Sequence, residues 1–152
     1  DKRFQTEDEE IENTYEEKFV SHLEISFPYS FNDEFFKWFD YKEWDRLKGV
    51  FKEMKRRRGD GKAIRINLNF SGQPDINFVI ESDESQWFKM EVEKIDFVVE
   101  LLPYHLDEKN IPKDVKSVIY NFDQEAARWR LNTVFTSEKK FVNSKNGWKL
   151  ST

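Results

Sequence analysis

The sequence predicts an α+β fold in which two amphipathic helices pack on one face of a mostly antiparallel sheet, all in a single domain. Several segments alternate apolar and polar residues, as half-buried strands do. Two other segments repeat apolar residues at helical spacing. The 152 residues suit one domain, and 15 Phe, 5 Trp and 5 Tyr supply large side chains for its core.

The first predicted strand covers residues 19–27, where apolar side chains alternate until a proline ends the pattern. Residues 63–81 alternate on both sides of a Ser-Gly-Gln-Pro-Asp turn, which predicts a hairpin with a five-residue loop. Two further extended segments are expected at 115–122 and 128–135. The Ala126-Ala127 pair between them is also compatible with a helix, so a helical alternative is kept for this region. A terminal hairpin is expected at 142–150.

The longer helices are predicted at residues 41–58 and 86–102. Asp40 is expected to cap the first helix, and Gly59 stands where a helix commonly ends. Its buried stripe comprises Trp44, Leu47, Phe51 and Met54. Pro103 is expected to end the second helix, although alternation near its start also suits a strand. A short helix capped by Asn32 or Asp33 is expected to carry Phe35, Phe36 and Phe39.

Charge is divided unevenly along the chain. Residues 1–20 hold eight acids and three bases, so their net charge of −5 equals that of the whole chain. We therefore expect residues 1–17 to be an acidic flexible arm and residues 18–152 to be the α+β domain. Within that domain, residues 46–62 carry a net charge of +6 and residues 81–100 a net charge of −5.

Tryptophan, arginine and acidic residues supply the predicted partner-binding site, because aromatic and arginine side chains are enriched at binding hot spots. The set is Trp87, Glu91, Glu93, Asp96, Arg128, Trp129 and Arg130. Two structural interpretations remain open. Trp129 can be a core residue whose neighbouring arginines face solvent, and the acids can form a solvated helix face.

The function expected from these features is that of a non-catalytic protein-interaction domain whose partner is another protein. A small inhibitor or immunity-type protein that neutralises a toxin or nuclease is one specialised form, since an acidic surface can mimic phosphates. The alternative is a nucleic-acid-binding module that uses the basic segment 46–62. Its phosphate-binding residues would be Lys55, Arg56, Arg57, Arg58 and Lys62. The same cations also suit a helix C-terminus, where they complement the helix dipole.

Catalytic chemistry has little support in the sequence. Cysteine is absent, and the two histidines, His22 and His105, have no acid or second histidine at ligand spacing. We expect no catalytic residue, no metal and no cofactor, and a carboxylate-based enzyme is the least favoured alternative. The longest apolar run, residues 97–102, contains a glutamate and is too short to cross a bilayer. We expect no membrane partner and a cytoplasmic protein.

Overall fold

The computed structural model describes residues 5–9 and 19–151, and side chains from residue 21 onward. Eight strands of these ranges form one sheet, and they lie side by side in chain order. The strands are β1 (Gln5–Glu9), β2 (Phe19–Phe27), β3 (Ala63–Phe70), β4 (Asp75–Ile80), β5 (Val115–Asp123), β6 (Arg128–Thr136), β7 (Lys140–Ser144) and β8 (Gly147–Ser151). The helices are α1 (Asp33–Phe39), α2 (Tyr41–Arg58), α3 (Ser85–Glu93) and α4 (Val98–His105).

The sheet is mixed. Strand β2 pairs parallel to β3, and β4 pairs parallel to β5, while the other neighbouring strands are antiparallel. Parallel neighbours need a crossover connection, and here each crossover contains two helices. The architecture is α+β, but the two longer helices and one short helix that we expected are four helices, and the sheet combines both strand directions.

The predicted helix 86–102 is divided into α3 and α4. Between them, Val98 N–H donates to Ile95 O and Val99 N–H donates to Asp96 O, which are bonds to the third residue back and tighten the chain. Pro103 does not end the helix as predicted. It lies inside α4, which continues to His105. The tight turn buries Ile95 and Val98 in the core.

The other predicted elements are confirmed. Strand β2, helix α2, the β3–β4 hairpin and the terminal hairpin of β7 and β8 lie where the patterns placed them. The β3–β4 loop has four residues, 71–74, rather than the expected five, because β4 begins at Asp75. Asn32 caps α1 by accepting a hydrogen bond from Phe35 N–H, and Asp40 caps α2 by accepting one from Lys42 N–H. The segment between β5 and β6 is a turn rather than a helix, because Asp123 Oδ1 accepts the N–H groups of Glu125 and Ala126.

The core lies between the helices and the alternate side chains of the sheet. Two residues of the predicted α2 stripe, Trp44 and Phe51, are buried, while Leu47 and Met54 are partly buried against them. Strand β3 contributes Ile64, Ile66, Leu68 and Phe70, all buried. Aromatic rings make many of the contacts: Phe27 stacks on Phe70, and Phe78 stacks on Tyr120. Most of the aromatic content is thus structural.

The predicted flexible arm, residues 1–17, is only partly covered. Residues 5–9 differ from that expectation, because they form β1, which pairs antiparallel with β2. This pairing gives backbone partners to what would otherwise be the free edge of β2. The rest of the arm lies outside the described residues. No described helix is both long enough and apolar enough to span a bilayer.

Candidate functional site

Two of the predicted partner-binding residues are buried. Glu91 and Trp129 are each 3% exposed. The indole Nε1 of Trp129 donates a 2.9 Å hydrogen bond to the backbone oxygen of Glu91, and the Glu91 carboxylate accepts the Glu81 N–H at 3.0 Å. Burial raises the pKa of Glu91 to about 7. Both residues therefore connect elements of the interior, and very little of either side chain is exposed to a partner.

Two other predicted residues, Glu93 and Asp96, face the basic helix α2. Lys48 lies 3.4 Å from the Glu93 carboxylate and 3.3 Å from that of Asp96, and Lys52 also pairs with Glu93. Trp44 Nε1 donates to Asp96 at 3.2 Å. Burial alone would lower the pKa of Lys48, but the two carboxylates outweigh it and raise that pKa. The +6 and −5 segments thus neutralise each other in part.

One residue of the alternative phosphate-binding set is buried. Lys55 is 1% exposed, and its ammonium donates to the backbone oxygens of Gly59, Lys62 and Asp83 at 2.6–2.8 Å. Burial lowers its pKa. This side chain closes the C-terminal end of α2 by satisfying carbonyl groups there, so it cannot also reach a phosphate.

The remaining cations of that set are at or near the surface. Arg56 and Arg57 both bind the carboxylate of Glu53, one turn earlier in α2. These pairs lie on an exposed helix face and lower the pKa of Glu53 to about 2. Arg58 is partly exposed, and Lys62 is exposed. The basic segment therefore presents less unpaired positive charge than its sequence indicates.

Three of the predicted partner-binding residues have side chains that a partner could reach: Trp87, Arg128 and Arg130. Trp87 is half-buried and its ring lies 6.4 Å from that of Phe122. Arg128 and Arg130 are exposed on either side of buried Trp129, as strand alternation requires. The guanidinium of Arg130 lies 3.9 Å from the carboxylate of Asp123.

A surface that the sequence analysis missed lies on and just before α4. Phe97, Leu101 and Tyr104 are 61%, 41% and 71% exposed. They stand at positions i, i+4 and i+7 and therefore share one side of the helix. We call these three residues the α4 surface. The signal for it in the sequence was the helical spacing of these three large apolar residues at positions 97, 101 and 104.

Next to the α4 surface is a groove of about 480 Å³, which we call the β6 groove. Leu101, Tyr104 and His105 form one wall, and residues 128–131 of β6 form the other. Trp148 of β8 closes one end, and its indole Nε1 donates to Asn110 O at 2.6 Å. The groove combines apolar side chains with two exposed arginines.

The histidine in this groove has a structural partner. His105 Nδ1 lies 2.8 Å from the hydroxyl of Tyr120, which is fully buried. Burial raises the pKa of Tyr120. Burial also lowers the pKa of His105, and the positive charge of Arg128 lowers it further. The pair joins α4 to β5, and its phenol is not accessible to a substrate.

Among the side chains of residues 21–151, no cluster of three or more histidine, aspartate and glutamate residues could hold a metal ion. Comparison of the chain with protein-family models, with curated proteins and with solved structures gave no match. The candidate site therefore rests on the exposed side chains and charges of this chain alone.

Proposed function

We propose that this chain is a non-catalytic protein-binding domain that contacts its partner through the α4 surface and the adjoining β6 groove. The observation that carries the proposal is the exposure of Phe97, Leu101 and Tyr104 on one side of one helix. Exposed apolar side chains in a contiguous patch mark interaction sites, and aromatic residues dominate binding energies. A small inhibitor or immunity-type protein that neutralises its partner is the specialised form of this proposal.

The charges beside the α4 surface support a protein partner. Glu100 is exposed on one flank, where burial raises the pKa of Tyr41 and the charges of Asp33, Asp96 and Glu100 raise it further. Arg128 is exposed on the other flank, beside His105. Opposite charges on two sides of an apolar centre orient a partner and increase its association rate. We also propose the cytoplasm as its place of action.

The test is co-purification from extracts of the cells that make the protein, at low ionic strength, followed by mass spectrometry. The wild type is compared with a variant carrying Phe97→Ser, Leu101→Ser and Tyr104→Ser. A matched control carries Tyr29→Ser, Val50→Ser and Leu150→Ser, which remove exposed apolar side chains elsewhere.

We expect one protein at stoichiometric yield with the wild type and with the control, and its loss with the α4 variant. Circular dichroism establishes that the three proteins are equally folded. The proposal is contradicted if the wild type is recovered without any partner, or if the α4 variant still recovers the same partner as the wild type.

A further inference from the structure

Strand β6 is longer than its pairing with β7. It extends over Arg128–Thr136, but β7 pairs only with residues 133–135. Among the residues that the structure describes, no strand pairs with residues 128–132 on the side away from β5. This open stretch of edge forms one wall of the β6 groove. An open sheet edge is a template for an added strand.

The direction of the backbone groups on this edge follows from one hydrogen bond. Leu131 O accepts the side-chain Nδ2 of Asn143 in β7 at 3.0 Å, so the backbone of Leu131 points away from β5. Backbone groups alternate in direction along an antiparallel strand, so those of Trp129 point the same way. The N–H of Trp129 and Leu131 and the oxygen of Trp129 therefore face the groove.

Side chains on the two faces of this edge differ in chemistry. On the helix face, a strand laid in the groove would lie over Leu101 and Tyr104, beside buried Trp129 and Leu131. On the opposite face it would lie beside exposed Arg128 and Arg130. Cross-strand neighbours interact most closely. Apolar residues therefore suit one face of the added strand, and carboxylates suit the other.

We propose that the β6 groove binds an extended segment of the partner protein in which apolar and acidic residues alternate, and that this segment adds a strand to the free edge of β6. Backbone hydrogen bonds to Trp129 and Leu131 supply the pairing, and alternate side chains supply the specificity. This inference rests on the proposed function, since Leu101 and Tyr104 belong to both surfaces.

The probe is a short fluorescein-labelled peptide in which leucine and glutamate alternate, with binding followed by fluorescence anisotropy. Comparison peptides hold the same residues in two blocks, or lysine in place of glutamate. Two further peptides carry N-methyl groups on all the leucine amides or on all the glutamate amides. In an antiparallel added strand the leucine amides pair with β6, and in a parallel one the glutamate amides do.

We expect the alternating peptide to bind and the block and lysine peptides to bind roughly tenfold more weakly or not at all. N-methylation of one set of amides abolishes binding, and N-methylation of the other set leaves it intact. Equal effects of the two methylated sets, or equal binding of the block peptide, overturn strand addition.

Charge reversal tests whether Arg128 and Arg130 select the acidic residues of the peptide. In the variant with Arg128→Glu and Arg130→Glu, the preference should invert in favour of the lysine peptide. A control with Lys139→Glu and Lys140→Glu, exposed on the turn to β7, should keep the wild-type preference. An unchanged preference in the arginine variant contradicts the proposal. If the protein self-associates and the peptide competes with that association, the edge of β6 binds a second copy of this chain. That result also overturns the proposal.

The experiments distinguish a failure of the proposed function from a failure of the proposed strand addition. If a protein co-purifies through the α4 surface but no alternating peptide binds, the protein-binding function stands and the added strand is wrong. If nothing co-purifies and the peptides also fail, the proposed function fails with it. Protection of the Trp129 and Leu131 amides from hydrogen exchange by the peptide locates the site directly.

Discussion

The indole Nε1 of Trp129 donates a 2.9 Å hydrogen bond to the backbone oxygen of Glu91, and this bond fastens β6 to α3 in the interior. The ring also packs edge-on against Phe78 and Phe122. A tryptophan between two arginines is therefore an anchor of the core. The exposed arginines beside it stand on a rigid support, which favours a well-defined binding edge.

Replacing Trp129 should test that anchor. Trp129→Phe removes the donor and leaves the Glu91 oxygen buried without its partner, which costs about 1–3 kcal/mol of unfolding free energy, plus a contribution from the smaller ring. Urea denaturation measures the change. Trp38→Phe, at a 37% exposed position, is the control and should change stability by less than about 0.5 kcal/mol. Equal effects of the two changes would argue against the anchor.

The Glu91 carboxyl should make stability depend on pH. Its pKa in the folded protein is about 7 against an ordinary 4.5, so the folded state binds this proton more tightly than the unfolded state. The free energy of unfolding should therefore fall as pH rises from about 5 to about 7, by up to roughly 3 kcal/mol.

Glu91→Gln isolates this contribution. Glutamine keeps an oxygen that can accept the Glu81 N–H, but it does not titrate. The variant should lose the fall in stability over that pH range, which denaturant unfolding at a series of pH values measures. Glu93→Gln is the control and should keep the fall, since hydrogen bonding to Lys52 lowers the pKa of Glu93 instead. A Glu91→Gln protein with the wild-type slope contradicts this assignment.

The ion pairs between α2 and α3 should contribute unequally. Lys48 is 6% exposed and pairs with the partly buried carboxylate of Asp96, so Lys48→Ala leaves that carboxylate without this cation and should cost about 1–3 kcal/mol, while Glu93 keeps its pair with Lys52. Arg46→Ala removes an exposed pair with Glu43 and should cost less than about 0.5 kcal/mol. Denaturant unfolding measures both, and comparable losses would show that burial does not govern this network.

The nucleic-acid alternative has a test of its own. Because Lys55 is buried and Arg56 and Arg57 bind Glu53, we expect no oligonucleotide binding at ~50 mM salt by fluorescence anisotropy. The variant with Arg56→Ala, Arg57→Ala and Arg58→Ala should retain the protein partner. Binding that falls steeply with salt and disappears in this variant would favour the nucleic-acid function.

Local patterns in the sequence predicted the individual elements well. Alternation located β3, and the helical repeat of Trp44 and Phe51 located α2, because each pattern reflects one face turned to the core. The parallel pairing of β2 with β3 could not be read in this way, since parallel and antiparallel strands share the same alternation. The division of α3 from α4 depends on tight backbone bonds around Phe97, which have no sequence pattern of their own.

The candidate site was predicted less completely, for a different reason. Charged residues were assigned by sequence segment, whereas the fold brings Lys48 and Asp96 together across 48 positions. Isolated segments cannot show that two charges neutralise each other. Leu101 and Tyr104 are absent from the predicted site, because apolar residues of an amphipathic helix are ordinarily expected in the core.

The most direct measurement of the central claim is photocrosslinking at the α4 surface. A benzophenone amino acid replaces Tyr104, and in a separate control it replaces Val50, which is 50% exposed on α2. After irradiation in native extract, the protein labelled at position 104 should crosslink to a single partner protein, and the protein labelled at position 50 should not. Absence of any crosslinked protein at position 104, or the same products at both positions, would contradict binding through the α4 surface.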